Sequence, residues 1–493
     1  MKILIATGRL AENTVRKAVG EKADILVVNI DIAAFITPNK LIKAFQEANL
    51  SKNYDLILLP GLVPGDFSKI SRELGCKIRL GPQHAYDLGF VLPFAEKTEF
   101  SEKIPACELL ANVRKESALE LITKTEEEAS SFFALRGVKL GGKACMKVMG
   151  EIVGAMEMDA LILQEKIEAF IARGADIIDL GATLNTRPEQ VRRTLSLAKT
   201  LTLAPISIDT LDPELIKEGV EAGADLVLSL NSTNMEAAGP IVARAGTAAV
   251  VIPDEGNSLE SLVRNIEAAR RLGIEKIIAD PVLDPIGHNI TESIVRYHDF
   301  HRIYPQIPVF FGVGNVTELM DVDTIGVNAT LCGIGMEAGA SILFTPEFSD
   351  KAQGSIRELK IASEMMQLSS IRESSPKDLG LDLLCIKEKR RRPDGPLPEN
   401  AIRAKLSKNW RVDPAGPIRI WIVPDSISGN GGMIVAEHGK ASVVGKNARE
   451  VMDTLLELKL VSRPDHAAYL GRELEKAELA LYFNRSYAQD DIF

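Results

Sequence analysis

The chain has 493 residues, of which 46% are hydrophobic and 26% charged, and its formal net charge is −10. That length is enough for about three domains. The acidic balance argues against a general nucleic-acid-binding surface, which has to be basic. Five cysteines stand singly, without the short spacing of a zinc or iron–sulfur site. A reducing, cytoplasmic setting is the simplest interpretation, and no stretch approaches the ~18 apolar residues of a membrane span.

The first segment, residues 1–120, is predicted to be a small α/β domain of the flavodoxin or Rossmann-like kind. Short apolar runs at Ile3–Ala6, Ile25–Val28 and Leu56–Leu59 alternate with helical patterns, which is typical of a parallel sheet. The loop Pro60–Gly65 follows the third run, where ligand loops lie in such sheets, and a plain turn is the alternative. Residues 121–146 are charged and are predicted to form a helical connector.

From residue 147 to residue 370 the pattern is a regular alternation of short apolar runs and amphipathic helical stretches. Gly174 and Gly223 end two of the helical stretches just before a strand, as glycine commonly does. Eight strand–helix units in about 220 residues predict a (β/α)8 TIM barrel rather than a doubly wound sheet. The eight predicted strands are Lys147–Val153, Asp176–Leu180, Ala204–Asp209, Asp225–Leu230, Ala248–Ile252, Lys276–Asp280, Pro308–Gly312 and Ala340–Thr345.

Residues 371–417 are predicted to be a linker, because they contain the basic run Lys387–Arg392 and four prolines between positions 393 and 414. The basic run is interpreted as solvated, with binding of a phosphate or an acidic partner as the alternative. Residues 418–493 are predicted to form a small α+β domain, with a strand at Ile418–Val423, a hairpin turned at His438–Lys440 and two helices. The fold class is therefore α/β, a central barrel flanked by two smaller domains.

Polar side chains follow the predicted barrel strands, at the end where TIM barrels carry their functional groups. Asp179, Asp209 and Asp280 end strands two, three and six, and Asn231 follows strand four. Such carboxylates could bind a divalent metal, or accept paired N–H bonds from an aminopyrimidinone ring, to which an amide can both donate and accept. Asp179 is equally well explained as a brace of the barrel. Because no histidine joins the set, a soft transition-metal site is not predicted.

Three phrases resemble the motifs of a known superfamily. Ile177–Gly181, Ile206–Thr210 and Asp280-Pro281 are similar, in order and spacing, to those of dihydropteroate synthases and pterin-dependent methyltransferases. The chain as a whole, including residues 466–474, resembles the archaeal dihydropteroate synthase-like proteins of organisms that use tetrahydromethanopterin. The resemblance implies that Asp209, Asn231 and Asp280 hold a reduced pterin. It also implies that Arg187 helps to bind a diphosphate leaving group.

The resemblance to the synthases has gaps. Their strand-one phrase Asn-Val-Thr-Pro-Asp is replaced by Glu151–Ala155, their strand-seven Ser-Arg-Lys by Gly314–Val316, and their strand-eight arginine and histidine by Thr345–Glu347. Without those cations a departing diphosphate is poorly stabilised, so Mg²⁺ would have to replace them. Asn315 instead resembles the strand-seven asparagine that lies beside N5 of the pterin in the methyltransferases.

The resemblance therefore implies a transferase of tetrahydromethanopterin-dependent one-carbon metabolism, which condenses a pterin-methyl diphosphate with an arylamine. Two alternatives stay open. One is a methyltransferase that moves a methyl group from a methylated tetrahydropterin to a corrinoid protein or a thiol acceptor. The other is a non-catalytic pterin-binding or assembly protein. The expected partner is a small-molecule pterin, with neither nucleic acid nor membrane, and related barrels often pair as homodimers.

Overall fold

The structure is a computed structural model that describes residues 1–50, 53–387, 398, 400–405, 411–425, 427 and 431–491. These residues form two compact units, Met1–Lys124 with Leu368–Asp382 and Thr125–Gln367 with Leu383–Phe493. Within the described ranges no helix is both long and apolar enough to cross a membrane. Of the basic run Lys387–Arg392, only Lys387 lies inside these ranges.

The first unit is built on a four-stranded parallel sheet, which confirms the small N-terminal α/β domain. Its strands are β1 (Ile3–Thr7), β2 (Asp24–Val27), β3 (Leu56–Leu59) and β4 (Lys77–Leu80), in the order β2-β1-β3-β4. The order reverses between β1 and β3, as in flavodoxin-like sheets. Loop residues Pro60 and Leu62, which follow β3, line an apolar cavity of about 220 Å³. The helices up to the connector are α1 (Glu12–Val19), α2 (Pro38–Glu47), α3 (Ser68–Leu74), α4 (Leu88–Val91), α5 (Ala106–Leu109) and α6 (Ala111–Glu128).

The connector before the barrel is only partly helical, and the expectation of a helical connector over 121–146 is corrected here. After α6 ends, the chain forms an antiparallel hairpin of β5 (Phe133–Leu135) and β6 (Val138–Leu140). Arg136 and Gly137 turn it with φ of 42° and 88°, the left-handed pair that suits a tight hairpin. Leu135 and Leu140 are buried in the same apolar cluster as the inward-facing barrel residues. Tertiary burial of these apolar side chains therefore stabilises strand where the local charge suggests helix.

The second unit contains a closed barrel of eight parallel strands, which confirms the TIM-barrel prediction. The strands are β7 (Lys147–Ile152), β8 (Ile177–Gly181), β9 (Ile206–Asp209), β10 (Leu226–Leu230), β11 (Ala248–Val251), β12 (Ile277–Ala279), β13 (Val309–Phe311) and β14 (Ala340–Thr345). The helices that follow them are α7 (Ala160–Arg173), α8 (Pro188–Leu201), α9 (Pro213–Glu221), α10 (Met235–Ala245), α11 (Leu259–Arg271), α12 (Ile290–Ile303), α13 (Gly314–Thr317), α14 (Thr324–Glu337) and α15 (Ser355–Arg372). Closure pairs β14 with β7.

Two repeated Gly-Ala-Asp phrases show how the helices return to the sheet. Gly174 and Gly223 have φ of 104° and 87°, which an L side chain rarely adopts, so they end the turns after α7 and α9. Asp176 accepts a hydrogen bond from the backbone N–H of Val148 at 2.9 Å, and Asp225 accepts one from Ile206 N–H at 3.0 Å. These aspartates lie at the amino ends of the strands, where a barrel carries residues for stability.

The alternation of side chains along the strands sets which residues reach the barrel mouth. Met149, Ile177 and Ile278 belong to the apolar cluster inside the barrel. Side chains two positions apart on a strand point to the same side. Glu151, Asp179 and Asp280 therefore stand above these apolar residues at the carboxyl end, where the interior opens.

The C-terminal domain is α+β, as predicted. Its antiparallel strands are β15 (Ile418–Pro424), β16 (Gly432–His438) and β17 (Ala441–Gly445), and its helices are α16 (Ala448–Glu457) and α17 (Pro464–Tyr482). The predicted hairpin joins β16 to β17. Ile434, Leu455 and Leu474 are fully buried in the apolar core between sheet and helices.

Candidate functional site

Three carboxylates from neighbouring strands meet at the barrel mouth. Glu151 on β7 lies opposite Asp179 on β8, and Asp209 ends the adjacent strand β9. One carboxylate oxygen from each of the three lies within 4.8 Å of the others. We call Glu151, Asp179 and Asp209 the acidic trio. Gly181 keeps the space open, since a Cβ atom there would come within 2.6 Å of Glu151 Oε1.

The acidic trio receives few hydrogen bonds from the rest of the protein. Ser207 Oγ donates to Asp179 Oδ1, but Asp179 Oδ2 is buried and no described residue donates to it. The carboxylates of Glu151 and Asp209 likewise accept no hydrogen bond from the part of the chain that the structure describes. Because buried polar atoms are normally paired, these oxygens are positioned to receive a ligand.

Burial and mutual repulsion change the protonation of the acidic trio. Burial raises the pKa of Glu151 to about 7, and the charges of Asp209 and Glu318 act in the same direction. Burial also raises the pKa of Asp209 to about 6. The pKa of Asp179 is raised well above its usual range by burial and then by Asp209 and Glu151, against a smaller opposing effect of the Ser207 hydrogen bond. At neutral pH the trio is therefore ready to share protons or to bind a cation.

Asp280 stands after β12 in a different environment. Its Oδ1 accepts hydrogen bonds from Tyr297 Oη and from the Val282 backbone N–H, each at 2.7 Å. No described residue donates to Oδ2, so this oxygen is free for a ligand. Burial raises the pKa of Asp280 to about 6, although the Tyr297 and Val282 hydrogen bonds and the Arg296 charge oppose it.

The loop after Asp280 is held in a strained shape. Val282 has a φ of 69°, a region that β-branched residues rarely adopt and that costs about 1–3 kcal/mol. Arg296 donates to the carbonyl oxygens of Pro281 and Val282 at 2.6 Å and to Asp284 at 3.1 Å. Arg296 thus fixes the loop that aims the Val282 N–H at Asp280, and such strain is common around binding sites.

The two candidate amides are each partly used by the protein. Asn231 Oδ1 accepts hydrogen bonds from the backbone and hydroxyl of Thr233 at 3.0 and 2.6 Å, which leaves its Nδ2 as a donor for a ligand. Asn315 is exposed in the first turn of α13, and its Nδ2 donates to the Leu283 carbonyl at 3.0 Å. Asn315 therefore belongs to the Asp280 side of the mouth.

Arg187 is not part of the acidic trio or of the Asp280 cluster. It is exposed just before α8, where its backbone N–H donates to Gln190 Oε1 at 3.0 Å and Pro188 opens the helix. On strand eight, Glu347 is buried and accepts hydrogen bonds from Arg173 Nη1 at 2.6 Å and from Ile356 N–H at 2.7 Å. The Thr345–Glu347 phrase thus braces the start of α15 and supplies no cation to the mouth.

The structure brings Asp179 and Asp209 together, but their third partner is Glu151 rather than Asp280. The prediction from sequence did not include Glu151 in the site and noted it only where Glu151–Ala155 departs from the synthase phrase. A signal was present, because Glu151 is two residues beyond the apolar, inward-facing Met149 on a buried strand. A charged residue at that position must face the mouth or be buried without a partner.

Comparisons with known proteins place parts of the chain in three families. The family model described as "Pterin binding enzyme" matches residues 154–344, "PterinBD-DUF4346" matches residues 412–490, and "Family of unknown function (DUF6513)" matches residues 1–83. The chain is 38% identical, in an alignment 530 positions long, to the uncharacterized protein MJ0107 of Methanocaldococcus jannaschii, and the alignment covers 100% of this chain and 99% of that protein.

The barrel is also similar to solved dihydropteroate synthases. The Yersinia pestis enzyme with a pterine-sulfa conjugate is 17% identical, with a TM-score of 0.40, over 48% of this chain and 99% of the enzyme. The Thermus thermophilus enzyme in complex with 6HMPPP is 20% identical, with a TM-score of 0.37, over 45% of this chain and 93% of the enzyme. At these identities the likeness concerns the fold.

Proposed function

We propose that the barrel mouth binds a reduced pterin, because the chain belongs to the same family as MJ0107 and its barrel matches the pterin-binding enzyme family. Asp209, Asn231 and Asp280 would hold the ring, with Asp179 behind Asp209. The observation that carries this proposal is the set of free acceptor and donor atoms on three strand ends. They are the carboxylate of Asp209, Asp280 Oδ2 and Asn231 Nδ2, which have no hydrogen-bond partner among the residues that the structure describes. An aminopyrimidinone ring needs such a set.

The proposed reaction is a synthase-like transfer of the pterin-methyl group to an arylamine, as in methanopterin assembly. The amine nitrogen forms a bond to the exocyclic carbon of the pterin. The bond from that carbon to the diphosphate oxygen breaks, the diphosphate leaves with the electron pair, and the amine loses a proton. Arg187, exposed at the start of α8, would meet the diphosphate. The chain lacks the other synthase cations, so Mg²⁺ would supply the remaining positive charge.

Methyl transfer is the second candidate, and Asn315 favours it. The Leu283 carbonyl fixes the amide nitrogen of Asn315, so its oxygen is oriented and can hydrogen-bond a protonated ring nitrogen. A methylated tetrahydropterin would then give its methyl group to a corrinoid protein or a thiol acceptor. A non-catalytic pterin-binding protein is what remains if neither reaction occurs.

Calorimetric titration separates these functions. The full-length protein is titrated with a dihydropterin-methyl diphosphate and with methyl-tetrahydromethanopterin, each with and without Mg²⁺. Condensation predicts tight, Mg²⁺-dependent binding of the diphosphate and turnover with an arylamine. Tight binding of the methylated pterin alone would support methyl transfer instead of condensation. If neither compound binds, the pterin proposal itself fails.

A further inference from the structure

The acidic trio brings three carboxylates to within 4.8 Å of one another at the barrel mouth. The charges that act on Glu151 are those of Asp209 and Glu318, and those that act on Asp179 are Asp209 and Glu151. None of these groups is basic. Such a cluster is stable only when protons or a cation neutralise part of it.

A second observation points to a ligand at the trio. Asp179 has a side chain with 0% exposure, yet its Oδ2 receives no hydrogen bond from any described residue. A carboxylate that served only to brace the barrel would be expected to have both oxygens paired. The neighbouring Ser207 hydroxyl is already used on Oδ1, so either a proton shared within the trio or a bound cation has to satisfy Oδ2.

The spacing and chemistry of the trio suit one hard cation. Its ligand atoms lie within 4.8 Å of one another, about the distance between opposite ligands of a Ca²⁺ ion that binds oxygen at roughly 2.4 Å. Mg²⁺, at about 2.1 Å, needs only a small contraction. The three ligands are all carboxylates, the type that Mg²⁺, Mn²⁺ and Ca²⁺ prefer over softer metals.

We propose that Glu151, Asp179 and Asp209 bind one hard divalent cation, in the absence of any pterin. The inference stands on the geometry of the trio and does not require the proposed function. Its consequence for that function is direct. A bound cation still has coordination positions open to diphosphate oxygens. It would therefore supply the positive charge that the Thr345–Glu347 and Gly314–Val316 phrases lack.

The test is a titration of the chelator-treated, full-length protein with Mn²⁺ in the absence of pterin. Bound and free Mn²⁺ are distinguished by electron paramagnetic resonance, and Mg²⁺ and Ca²⁺ are then used as competitors. We expect one saturable site. Glu151→Gln and Asp179→Asn should each weaken Mn²⁺ binding by about tenfold or more, because each removes one charged ligand. Glu255→Gln is the matched control, since Glu255 is exposed in the loop after β11 and lies outside the trio.

Two results would overturn the inference. The wild-type protein could show no saturable binding of any of the three cations, in which case the trio holds protons instead. Alternatively, Glu151→Gln and Asp179→Asn could bind Mn²⁺ as tightly as Glu255→Gln, which would place the cation elsewhere. If circular dichroism shows that one variant does not fold, Asp209→Asn replaces it, and the wild-type titration decides in any case.

The outcome is independent of the pterin proposal. Pterin titrations are repeated in the presence of chelator and with saturating Mg²⁺. Cation binding without pterin binding would leave the trio inference standing and reject the proposed function. Pterin binding without any cation binding would support the proposed function and reject the trio inference.

Discussion

Two buried aspartates in the same chain, Asp413 in the C-terminal domain and Asp179 in the barrel mouth, have opposite surroundings. Asp413 accepts hydrogen bonds from the backbone N–H groups of Ala415, Ser462 and Arg463 at 2.9, 2.9 and 3.1 Å, and its Oδ2 lies 2.9 Å from His466 Nδ1. The Ser462 hydroxyl is a further partner. The Ser207 hydroxyl donates to Asp179 Oδ1, and no described residue donates to its Oδ2.

The difference separates a structural carboxylate from one that is available to a ligand. Burial acts to raise the pKa of Asp413, but the hydrogen bonds from Ser462, Ala415 and His466 outweigh it and hold the pKa well below its usual range. Asp179 has the opposite shift because burial and its acidic neighbours dominate. Asp413 joins the segment before β15 to the start of α17 as a charged group. Asp179 has no hydrogen-bond partner on Oδ2 among the described residues.

Removing the structural carboxylate should have the largest effect on stability. Asp413→Ala leaves three backbone N–H groups and the Ser462 hydroxyl without their acceptor, so the melting temperature of the C-terminal domain should fall by roughly 10 °C. Trp421 is half-buried on β15, and its fluorescence reports the unfolding of this domain. The melting temperature of Asp413→Asn should lie between those of wild type and Asp413→Ala. A melting curve for Asp413→Ala that matches wild type would mean that Asp413 does not carry this junction.

Removing a ligand carboxylate should instead spare stability and impair binding. Asp280→Asn should weaken pterin binding by one to two orders of magnitude, since a charge-assisted hydrogen bond is worth about 1.5–3 kcal/mol. The Tyr297 hydroxyl can still donate to the amide oxygen of this variant, so the loop should stay in place. Calorimetry with Glu255→Gln as the control measures the effect. Equal affinity in the two variants would exclude Asp280 from the pterin site.

The two regions should also respond to pH in opposite directions. Glu151 has a folded-state pKa of about 7, above its unfolded value of about 4.3, so the folded protein binds more protons between these values. The free energy of unfolding should therefore fall as pH rises from about 5 to 8, by on the order of 2 kcal/mol. Glu151→Gln should remove most of this slope, although Asp179, Asp209 and Glu318 face the same site and contribute.

Denaturant unfolding at a series of pH values, followed by far-ultraviolet circular dichroism without divalent cations, measures that slope. The folded-state pKa of Asp413 is lowered, so the stability it provides is present above its unfolded value and is lost only as pH falls below it. Tryptophan fluorescence should thus show acid sensitivity in the C-terminal domain. If Glu151→Gln kept the wild-type dependence of unfolding free energy on pH, groups other than Glu151 would determine the pH dependence of barrel stability.

The smallest expected effect concerns Arg187. Because this side chain is exposed and outside the trio, Arg187→Ala should weaken binding of the pterin-methyl diphosphate by about twofold to fivefold, the range of a surface charge interaction. Binding of methyl-tetrahydromethanopterin should not change. Titration of both ligands compares them directly, and an equal loss for the two would count against the synthase assignment.

The pattern of apolar runs and glycines was enough to predict the eight-stranded barrel and the two flanking domains. Buried parallel strands are continuous apolar runs, and glycine commonly ends a helix, so apolar runs and glycines such as Gly174 and Gly223 were sufficient to locate the strand–helix units. The alternation of side chains also placed Asp179, Asp209 and Asp280 at strand ends, because it depends only on local backbone geometry.

The use of the polar atoms at the barrel mouth depends on contacts in the folded chain and could not be predicted from the local pattern. Pairing of β7 with β8 sets Glu151 beside Asp179. The Val282 N–H and the Tyr297 hydroxyl donate to Asp280 Oδ1, and the Leu283 carbonyl accepts from Asn315 Nδ2, but no described residue donates to Asp179 Oδ2. The β5–β6 hairpin likewise forms because the barrel interior buries Leu135 and Leu140. Burial, charge repulsion and hydrogen-bond partners are properties of positions in space, and residues far apart in sequence create them.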